Sequence, residues 1–597
     1  MAPLFWFRRS GEPIHREGNR VFHRMGKKWE LISQETIAPG FRPHDLGISP
    51  LLAQILVNRG IADFDQARSF LSPSLSHLPD PKALKDMDRA ISRILKALRE
   101  EEKIFLYGDY DVDGITSIAL LFLFLKSLGA RVEFYIPDRL QEGYGLHEEA
   151  LVWIRRQGTK LLITVDCGIH GHGEVRWALE NGMDVIITDH HEVPEILPPA
   201  LAIVNPKQRN CPYPFKSLAG VGVVFNLLVA LRSALRAEGF WKETGEPNLR
   251  RFLDLVALGT IADVVPLNGV NRIFGKFGLA ELTFTQRPGL RALKQVSQLQ
   301  DTPIDPFSIC FRLAPRMNAA GRLHDAHEAV NLLITDDERE AQAIACRLDQ
   351  WNTQRQRIEE KILREARKRL EDSSEGASRK SIVLASPEWH PGVIGIVAAR
   401  LCAEYQRPTI LIALGESLGK GSGRAPEFFP LYESLQACRS LLEDFGGHEF
   451  AAGLVIRRDR IAEFSQAFEQ IAAQRIADET LIPKVRIDAL ATLEELDEQF
   501  VADLDRLSPF GPENPEPVIG AESLTVLNAW RVGNDHLKMR IQQGSAIHEA
   551  IGFGMASREA SVRGPLRMAF TPQVHSYQGR RMLQLRIIDL EPMESAG

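Results

Sequence analysis

Acidic and imidazole side chains gather in four short clusters of this sequence. Asp109, Asp111 and Asp113 lie in YGDYDVDG, Asp166 in TVDCG, Asp189, His190 and His191 in TDHH, and Asp263 closes ALGTIAD. The first three clusters directly follow apolar runs at 103–108, 160–165 and 183–188 that read as strands. Side chains just past the carboxyl ends of strands meet in the crevice of an open α/β sheet. Carboxylates and an imidazole converging there repel one another unless cations neutralise them. Mixed Asp/His donors suit Mn²⁺ or Mg²⁺ better than Zn²⁺. Two such ions about 3.5–4 Å apart, sharing one bridging carboxylate, suit phosphodiester hydrolysis. A lone Asp after a strand, as Asp109 would be, more often caps the next helix. Repetition after three strands favours a joint site.

The elements that must position these groups follow from the pattern around them. KIFLYG, RVEFYIP, KLLITV and MDVIIT alternate with helical stretches, which predicts a mostly parallel sheet covered on both faces. This catalytic α/β unit spans 81–335, and residues 216–335 are mainly helical. Residues 336–372 carry a partial three-to-four periodicity in Ile344, Leu348, Trp351, Ile358 and Ile362, with no Pro or Gly over 337–370. A helix of that length reaches about 50 Å and joins two lobes more naturally than it sits in one core; SSEGAS (373–378) ends it. A smaller α/β unit is expected over 380–480. Turn-rich PFGPENPEP and short apolar runs predict an antiparallel barrel over 484–592. Residues 1–80 form a helical lead-in whose first 24 residues lack a clear period, and Met25 is an alternative start.

The clusters, in that order, resemble the DHH phosphoesterase superfamily. APRMNAAGRL (314–323), WHPGVIGIVAARL (389–401) and FGGHEFAAG (445–453) extend the resemblance to its single-strand-specific exonuclease branch, over about residues 25–592. The resemblance implies a two-lobed core, a DHH domain plus a DHH-associated domain, followed by an oligonucleotide-binding (OB-like) barrel. It implies that Asp109, Asp111, Asp113, Asp166, His190 and Asp263 hold two divalent ions, Mn²⁺ or Mg²⁺, with Asp166 as the bridge. His191 then faces the substrate phosphate. It also implies 5′-to-3′ degradation of single-stranded DNA with a free 5′ end, in recombination and repair, alongside a RecQ-type helicase and a single-strand-binding protein.

Other groups could hold the substrate. Arg316, Asn318 and Arg322 sit among small residues that let a phosphate approach, and arginine clamps phosphate bidentately. Arg424 in GSGR, and Gly446, Gly447 and His448 beside an expected helix start, suggest a phosphate nest in the second lobe. His390 could touch a nucleotide or pack a helix start. Arg355, on the long helix, could meet DNA or a neighbouring domain. In the barrel, Lys538, Arg540, Arg580, Arg581 and Arg586 accompany Trp530 and Tyr577, basic and aromatic groups fit for a single strand.

The net charge of −6 excludes only a uniformly basic binder. Residues 486–525 hold two basic and ten acidic side chains, whereas 526–590 hold nine and four, so an acidic stretch masks a basic segment. Six cysteines without a C-x2-C pair fit neither a disulfide scaffold nor a thiolate zinc site, and a cytoplasmic location is expected. The run from Ile118 to Leu125 is too short to span a bilayer, so no membrane is expected. The glycines match no P-loop or dinucleotide fingerprint, so no nucleotide cofactor is expected. A monomer suffices for this architecture. Two alternatives are a DHH phosphodiesterase for short oligonucleotides or cyclic dinucleotides, and a catalytically silent DNA-binding scaffold.

Overall fold

The computed structural model describes residues 27–32, 43–242, 245–372, 379–477, 483–533, 535–562, 565–577 and 580–593, with 560, 561, 575–577, 580 and 581 described by backbone alone. The aperiodic first 24 residues, Met25 and SSEGAS lie outside these, as do the side chains of Tyr577, Arg580 and Arg581. The chain enters through strand β1 (Lys28–Leu31) and two short helices, Pro50–Asn58 and Phe64–Leu71. Ser49 and Asp63 cap those helices by accepting from Leu52 N and Gln66 N.

Five strands then build the first sheet: β2 (Lys103–Gly108), β3 (Arg131–Tyr135), β4 (Leu161–Val165), β5 (Asp184–Thr188) and β6 (Ala202–Val204). All pairs are parallel, in the order β3-β2-β4-β5-β6. The chain leaves β2 toward one edge and returns to the other side with β4, so the strand order reverses between them. Ligand crevices of open α/β sheets form at such a reversal, and Asp109 and Asp166 stand there. Helices Val112–Ser127, Gly220–Ala237 and Leu253–Ala262 pack into one core with the sheet. Gly220–Ala237 is long and apolar enough to cross a membrane, but this core covers most of it.

The helix Glu338–Asp372 runs 35 residues. Its Ile344 and Leu348 bury in the first lobe, while Ile362, Leu363 and Ala366 pack with Val393, Ile394 and Val397 of the second. Because its two ends bury in separate cores, it spaces the lobes. The second lobe carries β7 (Ile382–Ser386), β8 (Thr409–Leu414), β9 (Leu418–Arg424), β10 (Asp444–Gly447) and β11 (Ala451–Arg457), in the order β10-β11-β9-β8-β7. Only β7 and β8 run parallel.

In the C-terminal unit, β12 (Lys484–Ile487) pairs with β1, and short β13 (Ala489–Leu490) joins β14 (Ile519–Val532). Strands β15 (His536–Gln543), β16 (Ala546–Gly552), β17 (Pro565–Tyr577) and β18 (Arg580–Pro592) complete a barrel that β14 closes against β17. The barrel is not wholly antiparallel as expected. The chain crosses it after β16, so β16 and β18 pair in parallel.

The N-terminal helices belong to this unit. Leu52, Leu56 and Ala67 share one buried cluster with Phe500, Leu504, Met539 and Phe570. Ser49 N donates to Asp503 Oδ2 at 2.7 Å, and Arg59 Nε to Asp488 Oδ1 at 2.7 Å. The expected lead-in therefore forms part of the barrel's core. Truncating Leu56 to Ala should cost about 2–5 kcal/mol. Hydrogen exchange followed by mass spectrometry should show faster exchange in β14–β18 and none in β2–β6; unchanged barrel exchange would mean that the two segments fold apart.

Candidate metal centre and phosphate pocket

The loop after β2 is built for close approach. A Cβ on Gly114 would lie 2.5 Å from the Asp109 carbonyl oxygen, so only glycine lets helix Val112–Ser127 start that near the strand. Asp111, rather than Asp109, caps this helix, its Oδ1 accepting from Asp113 N and Gly114 N at 3.0 and 3.2 Å. The two Asp113 oxygens accept from Gly220 N and Val221 N at 2.6 and 2.9 Å. That carboxylate thus sits on the positive end of helix Gly220–Ala237. A Cβ on Gly220 would lie 2.7 Å from Asp166 Oδ1, so glycine is required there too.

Asp166 holds a left-handed backbone at φ 62°, and Val264, next to Asp263, at φ 64°. A β-branched residue avoids that region unless its surroundings impose it, and such strain concentrates at functional sites. His190 Nε2 lies 3.1 Å from Asp166 Oδ1, 3.7 Å from Asp263 Oδ2 and 3.9 Å from Asp113 Oδ2. Asp189 is fully buried and accepts from the backbone N–H groups of Ile169, His190 and His191, and contacts His191 Nδ1 at 2.7 Å. Tyr144 Oη stands 3.1 Å from the same Nδ1. Asn205 Nδ2 fixes the turn by donating to the His191 carbonyl at 2.9 Å.

The electrostatics call for cations. Burial and the Asp111 charge push Asp109 well above the carboxylate range; burial and Asp113 do the same to Asp166. Burial and Asp263 raise Asp113 to about 7, and burial and Asp111 raise Asp263 to about 7. Burial and neighbouring His191 lower His190 to about 4, which keeps its ring neutral and free to ligate. Burial opposes charge on His191, but Asp189 overcomes it and lifts His191 to about 9. Asp109 Oδ1 and Asp166 Oδ1 are buried without a hydrogen-bond donor. Donor atoms of Asp109, Asp111 and Asp166 lie within 4.8 Å of one another, as do those of Asp113, His190 and Asp263, and those of Asp166, His190 and His191. Oxygen donors plus one or two imidazoles fit hard divalent cations.

A second set of charges gathers around Tyr110, the residue after Asp109. Arg322, on helix Ala314–Leu323, donates from Nη1 to the Gly392 carbonyl of the second lobe at 3.1 Å. Burial pushes its pKa down, and Arg139, Arg355 and Arg424 push further. Arg424, in β9, is also lowered by burial and by Arg139, and Arg139 stacks on Tyr110 at 4.6 Å. Guanidiniums that repel one another across two lobes form a natural seat for phosphate.

Other expected contacts fall elsewhere. Arg316 Nε pairs with Asp349 at 2.8 Å and its Nη1 donates to the Arg312 carbonyl, so it ties its helix to the long one. Asn318 lies half-buried in the same helix. Arg355 is buried in a bond network with Glu359 and Asn352 on the long helix, and its charge acts on Arg322. His390 Nδ1 accepts from Gly392 N at 3.1 Å, which shapes the turn before helix Ile394–Tyr405. Gly446 and Gly447 do not precede a helix; they lie in β10, where φ of +141° at Gly447 opens the turn to β11. That turn carries His448 to the catalytic lobe, where its ring lies parallel to His191 at 6.2 Å. In the barrel, Lys538 pairs with Glu549 and lies over Trp530, Arg586 pairs with Glu516, and Arg540 is exposed.

Three family profiles match in order: "DHH family, N-terminal domain" over 103–260, "DHHA1 domain" over 379–474 and "RecJ OB domain" over 487–589. A protein of Salmonella typhimurium named single-stranded-DNA-specific exonuclease RecJ is 36% identical, over 95% of this chain and 100% of its own. The chain belongs to the RecJ family. The Bacillus subtilis RecJ protein is 38% identical over 94% of this chain and 70% of its own. The crystal structure of Thermus thermophilus RecJ in complex with Mn²⁺ superposes with a TM-score of 0.82 at 33% identity, covering 95% of this chain and 80% of that one.

This RecJ-family site also contains residues to which the sequence had given no role. Arg139 and Tyr144 lie in PDRLQEGYG, at the carboxyl end of β3. Asp189 was visible within TDHH, and its buried carboxylate fixes the histidine that follows. Gly220 carried no signal. Gly220→Ala should push Asp166 aside and weaken Mn²⁺ binding about 10–100-fold with the fold retained. Calorimetric titration alongside circular dichroism checks this; unchanged affinity would show that Asp166 takes no part in binding.

Proposed function

We propose that this protein is a metal-dependent exonuclease that hydrolyses single-stranded DNA from a 5′ end and releases mononucleotides. The observation that carries the reading is the pairing of two sites. A carboxylate–imidazole centre adjoins Arg139, whose charge acts on Asp109, and Arg139 in turn neighbours Arg322 of the same lobe and Arg424 of the second. A phosphate seated among those guanidiniums would fix a strand end relative to the reacting bond, and a fixed end is what separates an exonuclease from an endonuclease. The relatives' printed name, single-stranded-DNA-specific exonuclease, supports the substrate class.

Asp109, Asp111 and Asp166 would hold one divalent ion, and Asp113, His190 and Asp263 a second, with Asp166 next to both. Such ions, when bound, activate water as a nucleophile and neutralise charge on the phosphoryl oxygens. The chain's own residues do the rest. Asp189 orients His191 and keeps it protonated, so that it can donate toward a phosphate oxygen. Tyr144 and His448 flank that ring from opposite lobes, limiting the space to one strand. Trp530, with Lys538 over it, offers the barrel a stacking platform. Work in recombination and repair, a cytoplasmic location and a monomeric state fit this reading, as would a RecQ-type helicase or a single-strand-binding protein as partners that supply or guard the strand.

Strands labelled at either end provide the test. The wild type with Mn²⁺ should release the 5′ label first as a mononucleotide, and Asp166→Ala should lower the rate by at least about 10³-fold. Release of the 3′ label first would reverse the polarity. Preference for a dinucleotide over a long strand would assign the site to short oligonucleotides instead.

A further inference from the structure

Arg272, on helix Gly269–Thr283, is only 2% exposed and forms no ion pair with a carboxylate among the described residues. Its five N–H donors meet five backbone carbonyls from two other parts of the chain. Nε donates to Phe70 at 2.9 Å; Nη1 to Leu507 at 2.9 Å and Pro509 at 3.5 Å; Nη2 to Arg506 at 2.7 Å and Ser508 at 3.0 Å. The guanidinium also stacks on Phe70 at 3.9 Å. Four of these carbonyls lie at and just beyond the end of helix Glu498–Leu507, the negative pole of its dipole. A buried cation is tolerated only when its donors are satisfied in this way.

The carbonyls belong to the barrel unit and the arginine to the catalytic lobe. Asn514 grips the same turn from the barrel side, its Nδ2 donating to Leu507 O and Pro509 O at 2.9 and 2.8 Å, while its Oδ1 accepts from Arg59 at 3.1 Å. One turn further along Arg272's helix, Gly275 leaves room for Pro509, which a Cβ would approach to 3.3 Å. An apolar contact would let the units slide, whereas a planar fork with five directed bonds defines one orientation.

We propose that Arg272 is a positioning residue that locks the barrel unit onto the catalytic lobe, so that a strand leaving the metal cleft meets the barrel in one fixed geometry. The functional half of this inference rests on the exonuclease reading above. The structural half does not.

Full-length wild type, Arg272→Lys and Arg272→Met are compared by small-angle scattering and by the ratio of degradation rates on strands of about 30 and about six nucleotides, the latter too short to reach an OB-type surface while occupying the cleft. Arg272→Met should widen the scattering envelope and lower the long-to-short ratio about tenfold, the worth of one ordinary base stack, with kcat on the short strand kept. Arg272→Lys, which lacks the fork, should fall between. An unchanged envelope, or a changed envelope with an unchanged ratio, overturns the proposal. If Arg272→Met does not fold, Arg272→Lys decides: faster hydrogen exchange over 505–510 with a lowered ratio supports the lock, and neither change overturns it. If the wild type degrades no single strand, the exonuclease reading fails, and scattering still judges the lock.

Discussion

Carboxylates crowded below the surface set the terms for the rest of the first lobe. Donor atoms of Asp109, Asp111 and Asp166 lie within 4.8 Å of one another, and so do those of Asp113, His190 and Asp263. Their repulsion in a poorly solvated crevice works against folding. The fold offsets part of it with backbone donors: Gly220 N and Val221 N for Asp113, and three N–H groups, beside the His191 ring, for Asp189. Backbone donors satisfy a carboxylate without occupying the space where an ion must sit. Glycines at 114 and 220 keep those donors close, and left-handed backbones at Asp166 and Val264 aim two acids inward.

The same constraint explains where the arginines are. A guanidinium beside Asp166 would pair with it and take the place of an ion. Arg322 and Arg424 instead stand where Gly392 O, Ser422 and one another are their neighbours. Positive and negative charge are thereby kept apart along the cleft. The long helix makes this separation durable, because each end is buried in a different lobe.

Much of this was legible in the sequence because it is local. Apolar runs of five or six residues become β2, β4 and β5, and an acid right after such a run has little choice but the sheet's carboxyl edge. The unbroken run 337–370 becomes one helix because it lacks Gly and Pro. Arginines were not legible in the same way. Arg316 and Arg322 share a helix and a motif, yet Asp349 claims one and the second lobe receives the other. The role of an arginine depends on what a distant segment brings to it. Paired glycines misled for a related reason: Gly446 and Gly447 suit a helix start and a hairpin equally, and strand pairing with Gly453 and Ala452 decides.

The greatest distance bridged is between the two ends of the described chain. Strand β1 pairs with β12, Trp29 Nε1 donates to Asp589 at 3.0 Å, and apolar residues between Ile48 and Leu71, Leu52 and Leu56 among them, fill a core otherwise built from residues 489–590. Completion of the barrel therefore waits for segments more than 400 residues apart, an entropic loss that grows slowly with loop length. In exchange the barrel unit is attached to the catalytic lobe through the segment after Leu71, through the carbonyls around Arg272, and through Leu267 N and Asn268 Nδ2, which donate to Pro512 O and Glu513. A barrel hung only from the second lobe would swing on a single tether. Held at several points, it keeps one orientation on the catalytic lobe, and its basic strands partly offset the acidic stretch that precedes them, a local balance that the net charge of −6 conceals.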